Sequence, residues 1–81
     1  MTARVIVPRA VEDILAELPE AERDAIIAKL RLLERFPRMY PIPERSRFRR
    51  HRRFLGRDWV VYYRVVGNTV YVRGLWPARI L

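Results

Sequence analysis

The chain has 81 residues, of which 51% are hydrophobic, with no cysteine and a formal net charge of +8. Such a composition excludes a disulfide scaffold and a thiolate metal site, argues against disorder, and suits one small core. No apolar run approaches the roughly 20 residues of a membrane span, and Pro8 and Arg9 interrupt the N-terminal apolar stretch too early for a signal peptide, so a single cytoplasmic domain over 1–81 is expected.

In chain order, residues 4–7 (RVIV) are β-branched and stopped by Pro8, which predicts a brief first strand. Residues 8–18 place Val11, Ile14, Leu15 and Leu18 at helical spacing. Pro8 suits the opening turn, and Glu12 and Asp13 complement the positive helix N-terminus. Pro19 breaks this pattern and starts a second helix with the stripe Ile26, Leu30 and Leu33, widened by Ile27 and extended by Phe36. Arg31 and Arg35 lie toward its C-terminal end, and Pro37 terminates it. The two stripes read as core, giving a helical hairpin with one apolar side. Residues 37–47 hold three prolines and predict a stiff, extended connection.

The hydrophobic period then changes from helix to strand. Residues 59–76 form two β-rich runs around Gly67-Asn68, a hairpin signal. With those two residues as the loop, Val66 pairs with Thr69, Val65 with Val70, Arg64 with Tyr71, Tyr63 with Val72 and Tyr62 with Arg73. One face then carries Trp59, Val61, Tyr63, Val65, Val70, Val72, Gly74 and Trp76, and packs on the helices. The other carries Val60, Tyr62, Arg64, Val66, Thr69, Tyr71, Arg73 and Leu75. Arginines interleaved with tyrosines on that face either stabilise the sheet as cross-strand partners or offer stacking and phosphate contacts to a nucleic acid.

Ahead of this hairpin, residues 44–54 (ERSRFRRHRRF) carry six arginines and a histidine. With Arg57-Asp58 as a turn, residues 51–56 pair with 59–64, whereas a three-residue loop would flip the faces. That register puts His51, Arg53 and Leu55 on the face of Tyr62 and Arg64, directs Phe54 to the core and leaves Arg52 near the sheet edge. One surface therefore gathers His51, Arg53, Tyr62, Arg64, Tyr71 and Arg73, with Arg49 and Arg50 on its rim. Charge is segregated to match. Residues 1–34 carry five basic and seven acidic side chains, a net of −2, and residues 35–81 carry twelve and two, a net of +10. A positive half beside a near-neutral half points to a polyanion, the preference for arginine over lysine being the weaker sign because source composition also produces it.

The predicted order is β-α-α-β-β-β, an α+β fold with a helical hairpin on one face of a small, mainly antiparallel twisted sheet. With residues 52–79 (RRFLGRDWVVYYRVVGNTVYVRGLWPAR) read as basic strand, turn, Y-R-V strand, hairpin and terminal arginine, the chain resembles the RelE/ParE superfamily of toxins from type II toxin–antitoxin pairs. The resemblance implies a toxin neutralised by a cognate antitoxin in a hetero-oligomer. RelE-like members cleave mRNA at the ribosome and ParE-like members poison DNA gyrase. By position, the family's second-strand basic pair falls on His51 and Arg53, and its C-terminal catalytic or phosphate-binding arginine on Arg79. The third-strand arginine position of the nucleases falls on Val60, with Arg64 on the same face.

Such a nuclease would need no metal or cofactor, and one histidine with scattered carboxylates supplies no ligand cluster. His51 is then the base or acid, because histidine alone among the side chains here ordinarily titrates near neutrality. Arg53, Arg64, Arg73 and Arg79 would hold phosphate and transition state, Arg49 and Arg50 would contact RNA, and Tyr62 or Tyr71 would stack a base. The plainer reading makes His51 a surface residue of a basic strand. Three functions stay open: an RNA-cutting toxin, a gyrase-directed toxin, and a non-catalytic RNA- or ribosome-binding module.

Overall fold

Both helices begin directly after a proline in the computed structural model, which describes residues 2–80. Helix α1 spans Arg9–Glu17 after Pro8, and α2 spans Glu20–Leu32 after Pro19. Proline has no N–H, and the first turn of a helix needs none. The Pro8 carbonyl accepts from the Glu12 N–H at 3.0 Å, and that of Pro19 from the Arg23 N–H at 3.0 Å. Acidic Glu12 in α1 and Glu20 and Glu22 in α2 lie in first turns, and Lys29 and Arg31 in the last turn of α2, so charge follows the helix dipole.

Helix α2 ends earlier than its stripe suggests. After Leu32 the chain tightens into bonds between residues three apart, with the Glu34 N–H on the Arg31 carbonyl and the Arg35 N–H on that of Leu32, both at 3.1 Å. The Glu34 carbonyl turns aside to accept from the Ala3 N–H. Leu33 still reaches the core, but Phe36, expected to extend the stripe, is 55% exposed. Ile14 is likewise exposed at the edge of its stripe.

Four strands form one mixed sheet: β1 (Arg4–Ile6), β2 (Arg52–Gly56), β3 (Trp59–Val66) and β4 (Thr69–Pro77), in the order β1-β4-β3-β2. Strand β1 pairs parallel with β4, Arg4 opposite Thr69 and Ile6 opposite Tyr71, and the other two contacts are antiparallel. A short 3-10 helix, Ala78–Ile80, follows β4. The helices cover one sheet face, where Val11, Leu15, Ile26, Leu30 and Leu33 meet Phe54, Val61, Tyr63, Val70, Val72 and Leu75. This is the expected β-α-α-β-β-β architecture.

The β2–β3 register follows the alternation throughout, from Gly56 opposite Trp59 to Arg52 opposite Tyr63. Its turn holds Arg57 at φ 54°, a left-handed conformation unfavourable for a residue with a Cβ. The β3–β4 register starts as expected, from Val66 opposite Thr69 to Tyr63 opposite Val72, and then shifts. Tyr62 lies opposite Gly74, not Arg73, so Arg73 is the extra residue of a β-bulge. Beyond it the expected faces exchange: Leu75 enters the core, and Trp76 moves to the face away from the helices, packing on Tyr62. Gly74 makes room for it, since a Cβ there would lie 2.7 Å from the Trp76 indole.

Gly56 has the corresponding role between β2 and α2. A Cβ at this position would meet Ile26 Cγ1 at 2.6 Å and Ile26 Cα at 3.4 Å, and Ile26 is itself buried. Gly56→Ala is therefore expected to overpack this contact and cost about 1–3 kcal/mol. Thermal unfolding checks it, at about 4–8 °C per kcal/mol for a domain of this size. An unchanged Tm would show that α2 shifts freely against β2.

Candidate functional site

The proline-rich connection packs Tyr40 against the core beside Phe54, and its far end sets Phe48 on part of the sheet face away from the helices. Residues 38–51 contain no helix or strand, so the connection runs on past residue 47 and His51, expected as the first residue of the β2 pairing, lies just before the strand; the segment is nonetheless firmly tied down. The Arg52 guanidinium donates to the carbonyls of Tyr40 at 2.7 Å and Arg38 at 3.2 Å, and Arg38 donates to the Gly67 carbonyl at 3.2 Å. Ser46 and Phe48 close a tight turn: the Ser46 hydroxyl donates to the Phe48 carbonyl at 2.7 Å and accepts from its N–H at 3.2 Å. The Phe48 ring lies against Tyr62 and Trp76, with centroids 5.2 and 5.1 Å away. A second, small aromatic cluster thus buries part of this side of the sheet.

That cluster changes the expected surface. Tyr62, expected as an exposed stacking ring, is 1% exposed, and Val60 beside it is equally buried. The Tyr62 hydroxyl accepts from Arg53 at 3.2 Å, so Arg53 braces the buried tyrosine and lines a small hollow with Phe54, Leu55 and Val60. Tyr71 is 46% exposed and remains available as a stacking ring.

The bulge and the tight turn together create an open depression of about 490 Å³, lined by Pro8, His51, Arg64, Tyr71 and Arg73 among others. Arg64 and Tyr71 are opposite one another on β3 and β4, and Arg64 makes no hydrogen bond or ion pair among the described residues. Arg73 follows from the bulge and stacks its guanidinium over Phe48, 4.8 Å from the ring centroid. His51 enters from the loop end, its N–H bonded to the Phe48 carbonyl at 3.3 Å and its Nδ1 2.7 Å from the Arg49 carbonyl. A carbonyl only accepts, so Nδ1 is the donor in this contact, and in the neutral ring the lone pair is on Nε2. Two cations, a proton acceptor and an exposed aromatic ring around one cavity suit a phosphodiester and its neighbouring base.

Arg49 and Arg50 are exposed on the turn that delivers His51, and Arg50 is held at φ 60°. Left-handed backbone in a residue with a Cβ is stored strain of a kind that collects at working sites. Arg79 stands apart: it lies in the 3-10 helix and lines a different hollow with Glu22, Asp58, Trp59, Pro77 and Ala78. There the Trp59 indole N–H donates to Glu22 at 2.9 Å, joining β3 to α2. The structure therefore brings together His51, Arg64, Tyr71 and Arg73, leaves Arg49 and Arg50 exposed on the turn before His51, and separates Arg53 and Arg79 from them. Phe48 and Trp76, which organise the site, are not apparent from the sequence. Phe48 lies in a loop without period, and Trp76 is sorted to the wrong face by the unforeseen bulge. Among the described residues no group of three or more histidine, cysteine or acidic side chains is placed to hold a metal ion, and no helix is long and apolar enough to cross a membrane.

No curated protein matches the chain. Among solved structures it is similar to an arginine-to-alanine double mutant of E. coli toxin RelE in the free state, at TM-score 0.78 and 15% identity, over 99% of this chain and 87% of that one. It is also similar to the archaeal RelE–RelB complex from Pyrococcus horikoshii OT3, at TM-score 0.74 and 24% identity, over 96% of this chain and 97% of the other. These identities speak for the fold alone. The family described as ParE toxin of type II toxin-antitoxin system, parDE, matches residues 5–80, a span that includes both helices, the three long strands and the depression they frame. The chain belongs to that toxin family, within the RelE/ParE superfamily.

Proposed function

We propose that this toxin acts on RNA, as a metal-independent endoribonuclease that cuts mRNA on the ribosome and is held inactive by a cognate antitoxin. The observation carrying this reading is the convergence of His51, with Nε2 available, and the Arg64 and Arg73 guanidiniums on one open depression. In the reaction the 2′-hydroxyl of the substrate gives its proton to Nε2, and its oxygen attacks the adjacent phosphorus. The 5′-oxygen departs and takes a proton from water, leaving a 2′,3′-cyclic phosphate. The arginines stabilise the charge that builds on the phosphoryl oxygens, and Tyr71 stacks a neighbouring base. The similar archaeal structure pairs RelE with RelB. For this chain an antitoxin with an acidic segment suits the basic half, because carboxylates on arginine form strong charge-assisted bonds.

A gyrase-directed toxin is the second reading, and a specific observation favours it. Val60, at the position where the family's nucleases carry a third-strand arginine, is 1% exposed and presents no cation. Adding purified protein to translating ribosomes and mapping message ends by primer extension separates the two. Cuts within the A-site codon are expected. Intact message, together with an SOS response and trapped cleaved DNA on expression in cells, would replace the RNA reading with the gyrase one. Salt-sensitive RNA binding without growth arrest would leave only a binding module.

A further inference from the structure

Phe48 occupies a position that neither the family assignment nor the chemistry above accounts for. It is half-buried in a loop, yet four side chains that matter to the site meet on its ring. Tyr62 approaches edge-on at 5.2 Å and Trp76 tilts against it at 5.1 Å, which fixes the ring on the sheet. On the solvent side the Arg73 guanidinium sits over it at 4.8 Å, and the His51 ring lies 5.7 Å away. Its backbone is fixed as well, through two bonds with Ser46 and one from the His51 N–H. One residue therefore touches both the proton acceptor and one of the two cations of the depression while being anchored in a rigid cluster.

A guanidinium on a long side chain samples many rotamers, and an imidazole after a left-handed residue has no strand ladder to hold it. An aromatic face restricts both. Cation–π attraction holds the guanidinium over the ring, and the tilted ring contact adds to the Arg49 carbonyl bond in limiting the turning of the imidazole. We infer that Phe48 is a positioning residue that sets His51 and Arg73 at a common distance from a bound phosphodiester, without touching the substrate itself. The reaction half of this inference rests on the proposed RNA reading; the binding half requires only that the depression takes a nucleic-acid phosphate.

The test is a double-mutant cycle between Phe48 and Arg73, read first by binding of a 2′-O-methyl RNA hexamer, which the reaction cannot cut. Phe48→Leu is expected to weaken binding about three- to tenfold in the wild-type background, in line with one lost cation–π contact and its ordering, and to have little further effect beside Arg73→Ala. Phe48→Tyr retains the ring face and should restore affinity. In single-turnover cleavage on ribosomes, Phe48→Leu should lower the rate more than the affinity, because it also releases His51. Side-chain NMR supplies the last arm: the ring-current shifts of His51 Cε1–H and of the Arg73 guanidinium should collapse in Phe48→Leu and persist in Phe48→Tyr.

Additive effects of Phe48→Leu and Arg73→Ala, or unchanged ring-current shifts, would overturn the inference and leave Phe48 a packing residue visible only in Tm. If wild-type protein cuts no message, the RNA-cleavage reading fails alone, and the binding cycle and the NMR shifts still decide the role of Phe48. If the hexamer does not bind either, the NMR arm decides whether Phe48 orders the pair.

Discussion

On the proposed RNA reading, His51→Ala is expected to lower the single-turnover rate of message cleavage on ribosomes by about 10²–10⁴-fold, the range for loss of a general base. Arg64→Ala is expected to lower it by about 10²–10³-fold, as for removal of one preorganised group that stabilises developing charge. Both expectations follow from the depression that these residues share with Tyr71 and Arg73. Arg79→Ala should leave the rate within about twofold, because charges beyond a Debye length of ~10 Å are screened. Arg79 follows the Trp59–Pro77 end of the β3–β4 ladder, while Arg64 pairs with Tyr71 near the other end. Five residues of strand separate Trp59 from Arg64, roughly 17 Å at ~3.3 Å per residue. The family resemblance points to Arg79, and the geometry points to Arg64 and Arg73. Primer extension on matched amounts of folded protein decides between them. If Arg79→Ala proved as damaging as Arg64→Ala, the reaction centre would move to the hollow of Glu22, Asp58 and Trp59.

Tyr63 carries the largest expected effect on stability. Its ring is fully enclosed, at 0% exposure, between Phe54, whose centroid is 6.2 Å away, and the rest of the core. Tyr63→Ala is expected to cost about 3–5 kcal/mol. A chain of this length has a total of roughly 4–12 kcal/mol, so this loss removes a large part of it and should show as a marked fall in Tm. Tyr63→Phe should behave in the opposite way. The hydroxyl is buried without a hydrogen-bond partner of ordinary geometry, although the Tyr40 backbone lies near enough to favour its ionised form. Burial nonetheless dominates and pushes its pKa from 10.0 up to about 12, with Arg52 opposing.

Removing an unsatisfied buried hydroxyl is expected to be neutral or to stabilise by about 1 kcal/mol. The alkaline limb provides an independent check. Between pH 10 and about 12 the unfolded chain loses the tyrosine proton while the native protein keeps it, so the unfolded state binds fewer protons and stability falls as pH rises. The contribution is complete below pH 10 and is lost through the folded pKa, a change on the order of 2 kcal/mol. Urea unfolding at pH 8 and pH 11 should show about half of this loss in the wild type, since pH 11 lies midway between the two pKa values, and a smaller one in Tyr63→Phe. An equal loss in both would place the alkaline transition on other groups.

Local signals in the chain accounted for most of the fold. The prolines at 8 and 19 start both helices, because a residue without an N–H is accommodated there and nowhere else in a helix. The Arg57-Asp58 turn, with side chains alternating between the faces from there, set the β2–β3 register correctly, since a slip by one would have turned Phe54 and Val61 to the wrong side. The same alternation failed after Val72. Nothing local distinguishes Arg73 as an extra residue, and the bulge is favoured only when Leu75 finds the helices and Trp76 finds Tyr62 and Phe48.

By itself, then, the sequence determined the element order, the apolar sides of the helices, the basic half and the membership of His51, Arg64, Tyr71 and Arg73 in one surface. These are consequences of period, of turn chemistry and of charge, all of which act between residues close in the chain. The tertiary structure alone decided that Tyr62 is buried, that Arg53 braces it, that Arg79 lies elsewhere and that Phe48 joins the site. All of these but the place of Arg79 depend on where an irregular loop, residues 38–51, comes to rest on the sheet. A loop without period is placed by contacts with residues distant in sequence, here the bonds from Arg52 and the packing of Phe48 on Tyr62 and Trp76, and such contacts exist only once the sheet has formed.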